Sequence, residues 1–222
     1  MTTQLRRPIL SLVNGSQQPA IELDTARRYV KALGVSDDVL IAGWIEAARG
    51  FFEEQTGRQL ITATFEIWLD RFPIGRDRIY LPRPPLQSVA SVSYIGDDGE
   101  LVSFDDAGSP ATALWTYKAP AGEACDRGYV VPIYGNQWPI ARVEPGAVRI
   151  RFTAGYGDAP QDVPSMVTGV LMYLVSEFET QRQPTDKPLA MPGGIRYLLD
   201  HFRFSALAPV GYAWQDPGWP SD

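Results

Sequence analysis

The sequence predicts an α+β fold: a small helical bundle, of two N-terminal and two C-terminal helices, carrying a large antiparallel β insertion. Three observations predict it. Apolar residues recur every three or four positions within residues 24–56 and again within 164–203, the period of a helix with one buried face. Between 63 and 157 the period falls to two, the period of a half-buried strand. Helical and extended stretches are grouped rather than interleaved, which excludes regular βαβ alternation. The chain divides accordingly into an N-terminal arm with the first two bundle helices (1–62), the β-rich insertion (63–157), the C-terminal bundle helices (158–203) and an extended tail (204–222).

Asp24 is the expected N-cap of the first helix, "DTARRYVKALG", with Gly34 at its C-terminal end. Ser36 caps the second, in which Ile41, Trp44, Ile45, Ala48, Phe51 and Phe52 form a wide apolar stripe and Gly57 marks the stop. "TFEIWLD" then alternates Phe65, Ile67 and Leu69 with Glu66, Trp68 and Asp70. The three prolines of "LPRPPLQSV" (81–89) make it an extended link rather than a central strand. Asp98-Gly99 lies between two β-like runs and predicts a hairpin. Further strands are expected at 112–118, 128–134 and 147–154. Pro164 suits a helical first turn, and "GGIRYLLDHFR" reads as a short closing helix.

The chain has 222 residues, enough for a substantial core. Its net charge of −6 argues against a protein that grips nucleic acid by neutralising phosphates. Cys125 is the only cysteine, so an intrachain disulfide is excluded. The apolar part of "RRPILSLVNG" is too short for a secretory core, and the longest apolar runs are too short for a membrane span. A cytoplasmic chain is expected.

Catalytic and ligand chemistry find few residues to use. "AGYGDAP" (154–160) follows a strand and precedes a helix, as a phosphate cradle does. It lacks both the Lys-Ser/Thr of a P-loop and the third glycine of a dinucleotide fingerprint. The expected role is a turn, with Gly155 and Gly157 supplying positive φ. His201, the only histidine, sits in the apolar pattern "YLLDHFRF". Cys125 has acidic neighbours, which oppose thiolate formation. One histidine and one cysteine do not make an ordinary zinc site, and no other cofactor is expected. The acidic pairs Glu53-Glu54, Asp97-Asp98 and Asp105-Asp106 read as solvated faces and turns. A non-enzyme is the expectation. Trp115, Tyr129, Tyr134 and Trp138 raise one alternative, a carbohydrate- or ligand-binding β module, against ordinary packing of aromatic residues.

The order of motifs is more specific than any one of them. "LIAGWIEAARGFFEEQTGRQLI", "LDRFP", "LPRPPLQSV", "YIGDDGEL", "YGNQWPIARVEPGAVRIRFTAGYG", a "VP" helix ending in "EFETQR", and "PGGIRYLLDHFR" together span residues 24–203. This series resembles the head–tail connector, or adaptor, family of long-tailed phages, prophages and phage-like gene transfer agents. The resemblance implies a structural part: a ring, commonly of twelve copies, beneath the portal. Such a ring extends the DNA channel, with double-stranded DNA passing through it without sequence recognition, and joins the capsid vertex to a stopper or tail-terminator protein. It implies assembly in the bacterial cytoplasm and no contact with a membrane. Two site expectations follow. The tail, with Phe204, Tyr212, Trp214 and Trp219, is expected to order on docking to the portal. Neighbouring subunits are expected to meet through the helices at 36–56 and 164–182, at Trp44, Arg49, Glu53, Glu177 and Arg182.

Overall fold

Seven alternating residues, Ala63–Leu69, send Phe65, Ile67 and Leu69 to one side and Glu66 and Trp68 to the other, and the chain folds around that choice. The computed structural model describes residues 8–31, 37–104, 114–123, 125–180 and 193–203. Within these, the strands are β1 (Ile9–Gly15), β2 (Ala63–Leu69), β3 (Ile79–Tyr80), β4 (Leu86–Ile95), β5 (Leu101–Ser103), β6 (Trp115–Lys118), β7 (Tyr129–Pro132) and β8 (Val148–Ala154). The helices are α1 (Leu23–Tyr29), α2 (Asp38–Thr56), α3 (Ser165–Thr180) and α4 (Gly193–Phe202). The expected α+β class, with two helices before the main β section and two after, is what the chain adopts.

Two antiparallel sheets face one another. The larger has the order β1-β2-β8-β4-β5, the smaller β3-β7-β6. In the larger sheet β8 lies between β2 and β4, with Phe65 opposite Phe152 and Ile67 opposite Ile150. Their inward side chains meet Ile79, Leu81 and Val130 from the smaller sheet side. The outward face is polar: Arg151 reaches Glu66 at 3.0 Å, and the Arg149 guanidinium lies over the Trp68 ring at 4.8 Å. A second core belongs to the helices, where Ile41, Ile45, Ala48 and Phe52 of α2 meet Val167, Leu171 and Val175 of α3. Phe202 of α4 closes it, its ring 6.0 Å from that of Phe52.

Several expectations shift by a few residues. Residues 6–15, read as a mere arm, include edge strand β1. "ILSLV" hides it because it does not alternate, and a register shift between Leu12 and Asn14 breaks the pattern further. The N-cap of α1 is Glu22, not Asp24: Glu22 O accepts from Thr25 N and Ala26 N, and Asp24 pairs with Arg27 in the first turn instead. That helix ends at Tyr29, short of Gly34, which with Ser36 lies outside the described residues. The link over 81–89 is a link only to Pro85. Residues 86–89 open the interior strand β4, because all three prolines precede Leu86 and no ladder donor is lost. The Asp98-Gly99 hairpin forms between β4 and β5, with Gly99 at φ +88°.

Candidate assembly surfaces

The register sets two ends. Ala63, Ala154 and Leu86 align at one end of the large sheet, next to the helices, and Leu69, Val148 and Tyr94 align at the other. Seven residues of strand separate the ends by about 20 Å.

At the near end the chain crosses between sheet and bundle at 16–22, 57–62 and 155–163, and at the last two of these crossings backbone groups are paired. Thr62 N donates to Gly157 O at 2.8 Å, Tyr156 N to Leu60 O at 2.9 Å and Gly155 N to Pro85 O at 2.9 Å. The glycine loop is therefore a corner. Gly155 has φ +136°, and a Cβ there would stand 2.7 Å from the Thr62 backbone. Gly157 does not share the positive φ expected of it; it is glycine because a Cβ would meet Asp162 at 2.3 Å. The Asp162 carboxylate accepts from Ala159 N at 3.0 Å and closes the loop on itself.

Arg58 is the polar centre of this junction, with 2% of its surface exposed. Its Nε donates to Phe202 O at 2.7 Å and its Nη2 to Cys125 O at 2.8 Å. The first of these carbonyls belongs to the last turn of α4, which has no acceptor role left inside its own helix. The Tyr156 hydroxyl donates to Glu123 O nearby, and burial pushes its pKa up against the lowering effect of Arg58. One buried guanidinium thus ties the end of α2, the end of α4 and the 121–128 loop together. Nothing in the spacing around Arg58 marks it out. Only its position directly after the Gly57 stop, in left-handed conformation at φ +69°, could have raised the question.

The residues weighed for catalysis are scattered. His201 is exposed on α4 and touches Phe202 edge-on at 5.3 Å, whereas Cys125 is buried beside Arg58. Among the described residues no group of three or more His, Cys, Asp or Glu side chains gathers into a metal site, and no helix is long and apolar enough to cross a membrane. The aromatic residues also part company. Trp138 is core, stacked on Phe72 at 4.8 Å, and Trp115 and Tyr117 pack against the same core. Of the four aromatic residues weighed for ligand binding, Tyr129 and Tyr134 face outward and Trp115 and Trp138 inward, so the four do not form one platform.

Of the expected subunit contacts, Trp44 is half-buried against the helical core. Arg49 bonds Glu53 at 3.2 Å and Gln18 O at 3.2 Å, and Glu53 also accepts from Leu60 N at 3.0 Å. Glu177 bonds Tyr173, whose pKa is pushed up to about 12 by burial and by that bond. Arg182 lies outside the described residues, as do Phe204, Tyr212, Trp214 and Trp219.

Three exposed apolar features remain, the third of them on a helix already expected to meet a neighbouring subunit. At the far end, Ile74 (91% exposed), Tyr134 (93%), Ile140 (85%) and Val143 (90%) project from the loops at 70–78 and 133–147. These loops are rigidly joined beneath: Trp138 N donates to Gly75 O at 3.0 Å and Trp138 Nε1 to Asp77 O at 2.7 Å. At one edge, β1 presents Ile9, Leu12 and Val13 with no charge in seven residues, unlike edge strands that are guarded against pairing. Along α2, Val39, Gly43, Ala47 and Gly50 share an exposed face, and a Cβ added at either glycine would meet nothing within 4 Å. Exposed apolar groups that lie together are candidates for contact surfaces.

No protein-family profile matches the sequence, and no curated protein sequence matches it. Solved structures do match. The chain is similar to a chain in the virion of the native gene transfer agent particle, at 22% identity and a TM-score of 0.68, over 88% of this chain and 95% of that one. It is similar to a chain in the neck of the empty particle, computed with C6 symmetry, at 22% identity and a TM-score of 0.69 over the same shares. A third match, in the neck of the native particle computed with C12 symmetry, has 21% identity and a TM-score of 0.66, over 88% and 94%. The fold that the motif order pointed to is thereby the fold of a particle-neck component.

Proposed function

We propose that this chain is a structural head–tail adaptor, which forms a ring beneath the portal, extends the DNA channel and joins the capsid vertex to the stopper or tail. The carrying observation is the shared fold with neck chains of a gene transfer agent over nearly the whole of both chains. The surfaces support it. A ring requires unlike faces to meet head to tail, and the exposed face of α2, with Val39, Gly43, Ala47 and Gly50, lies on a different element from the exposed Met166, Gly169 and Thr180 of α3. In this reading Trp44 and Glu177 lie at the margin of the subunit contact, whereas Arg49 and Glu53 brace α2 from within its own chain. The tail departs after α4 and serves the portal; the rim of Ile74, Tyr134, Ile140 and Val143, at the opposite end, serves the stopper. Modest affinity per subunit suffices, because a ring engages its partner many times over.

The test is electron microscopy of the purified chain mixed with its cognate portal. Rings seated on portals are expected, and a chain lacking 205–222 should fold normally yet fail to load. A full-length chain that stays monomeric and leaves portals bare rejects the proposal.

A further inference from the structure

The outer face of the small sheet is basic and aromatic within an acidic chain. Its inward residues, Ile79 and Val130, are buried. Its outward row is Tyr80, Tyr129 and Lys118, which stand opposite one another across β3, β7 and β6. Two arginines lie on that row in a crossed arrangement. Arg78, two residues before Tyr80, has its guanidinium 4.5 Å from the centre of the Tyr129 ring, and Arg127, two residues before Tyr129, lies 5.2 Å from that of Tyr80. Each cation sits on the tyrosine of the other strand, and the two rings meet edge to face at 5.7 Å. Arg76 continues the series at the margin, 5.4 Å from the Tyr134 ring. Segments 76–80, 115–118 and 126–129 hold four cations and two carboxylates, Asp77 and Asp126, in a chain of net charge −6. Among the described residues no carboxylate forms an ion pair with Arg76, Arg78 or Lys118.

A guanidinium stacked on an aromatic ring keeps its edge open; Arg78 gives one N–H to the Tyr80 side chain and Arg76 one to Pro132 O at 3.4 Å, and the N–H groups that remain suit phosphate oxygens. The tyrosines also fix the arginine planes in advance, so little side-chain freedom is lost on binding. A protein interface also favours tyrosine and arginine, but it sets them around an apolar centre and is poor in lysine. The exposed members are instead Arg78, Lys118 and Thr116, with no exposed aliphatic residue among the strand residues of this face. Polar, strongly positive contacts are the mark of nucleic-acid surfaces. We infer that the outer face of β3-β7-β6 contacts the phosphate backbone of double-stranded DNA through Arg78 and Lys118, with Arg76 beside them. With about three phosphates engaged the contact is weak, without sequence preference, and readily broken by salt.

The test is fluorescence anisotropy of a labelled 20-base-pair duplex titrated with the intact chain, which needs neither ring nor portal. Three phosphate contacts predict a roughly 40-fold loss of affinity between 50 and 200 mM salt. R78E with K118E should lower affinity more than tenfold and remove about two contacts' worth of salt dependence. R142E with R203E, an equal charge change at exposed positions elsewhere, should leave binding within twofold. No binding at 50 mM salt overturns the inference, as does equal loss in both double variants. A change of oligomeric state in R78E/K118E without DNA binding would assign the face to a protein contact and overturn it equally. Failure here leaves the adaptor reading intact, since that is judged on portal loading.

Discussion

The two ends of the large sheet are built to opposite rules. At the near end, where the chain crosses between helices and strands, backbone groups are paired, glycines occupy sites that no other residue fits, and Arg58, the one buried cation among the described residues, is engaged through all three of its nitrogens. At the far end the loops are just as firmly hydrogen-bonded beneath, yet they hold isoleucine, valine and tyrosine out into solvent. The first end satisfies the chain itself. The second leaves apolar side chains in water.

Substitutions can break that contrast in a graded way. Phe152→Ala, in the central strand and fully buried, should cost about 3–5 kcal/mol and abolish a cooperative melt if stability is marginal. Gly155→Ala forces a left-handed φ and a 2.7 Å approach to Thr62, so a loss of about 3 kcal/mol is expected; an unchanged melting temperature would mean the corner is not rigid. Arg58→Met strands the Phe202 and Cys125 carbonyls and should cost about 2–4 kcal/mol. Hydrogen exchange should then speed up first in α4. Protection of α4 equal to that of the parent chain would remove Arg58 from its anchoring role. At the far end, Ile140→Ser with Val143→Ser should shift stability by no more than about 0.5 kcal/mol, while stopper or tail attachment to assembled particles is lost. Normal attachment would deny the rim its role.

The smallest effect is one of pH. Tyr173 keeps its proton to about pH 12 in the folded chain, whereas an unfolded tyrosine loses it near 10. Folding therefore favours the neutral hydroxyl: its contribution is whole below pH 10 and drains away as pH climbs toward 12. Denaturant melts of Tyr173→Phe should show a shallower decline over that window than the parent chain.

Much of this was readable in advance wherever one residue type has one physical use. Helix and strand periods located α2, α3, β2 and β8, Asp98-Gly99 located the hairpin, and the missing lysine turned "GYGDAP" from a cradle into a corner. What stayed hidden depends on pairing at a distance. Strand β1 has no alternation because only Leu10 among its apolar residues packs against the core. Arg58 looks like any post-helix arginine until α4 and the 121–128 loop arrive on either side of it. The crossed arginines and tyrosines are two ordinary dipeptide spacings, at 78–80 and 127–129, that mean something only once β3 and β7 align. Overall acidity likewise concealed a locally positive face, because net charge has no address.

Strand β8 reaches the ribosome's exit last of the large sheet yet occupies its middle, between β2 and β4. Until residue 154 has emerged, those two flanking strands wait some way apart with their apolar rows uncovered, and the growing polypeptide cannot mature from its beginning onward. A chain released before Val148 lacks the strand that joins β2 to β4, and the large sheet is left as two separate pairs, β1-β2 and β4-β5. Polypeptides stopped at residue 146 should bind hydrophobic dye and resist incorporation, and a compact, protease-resistant product of that length would refute this order of events.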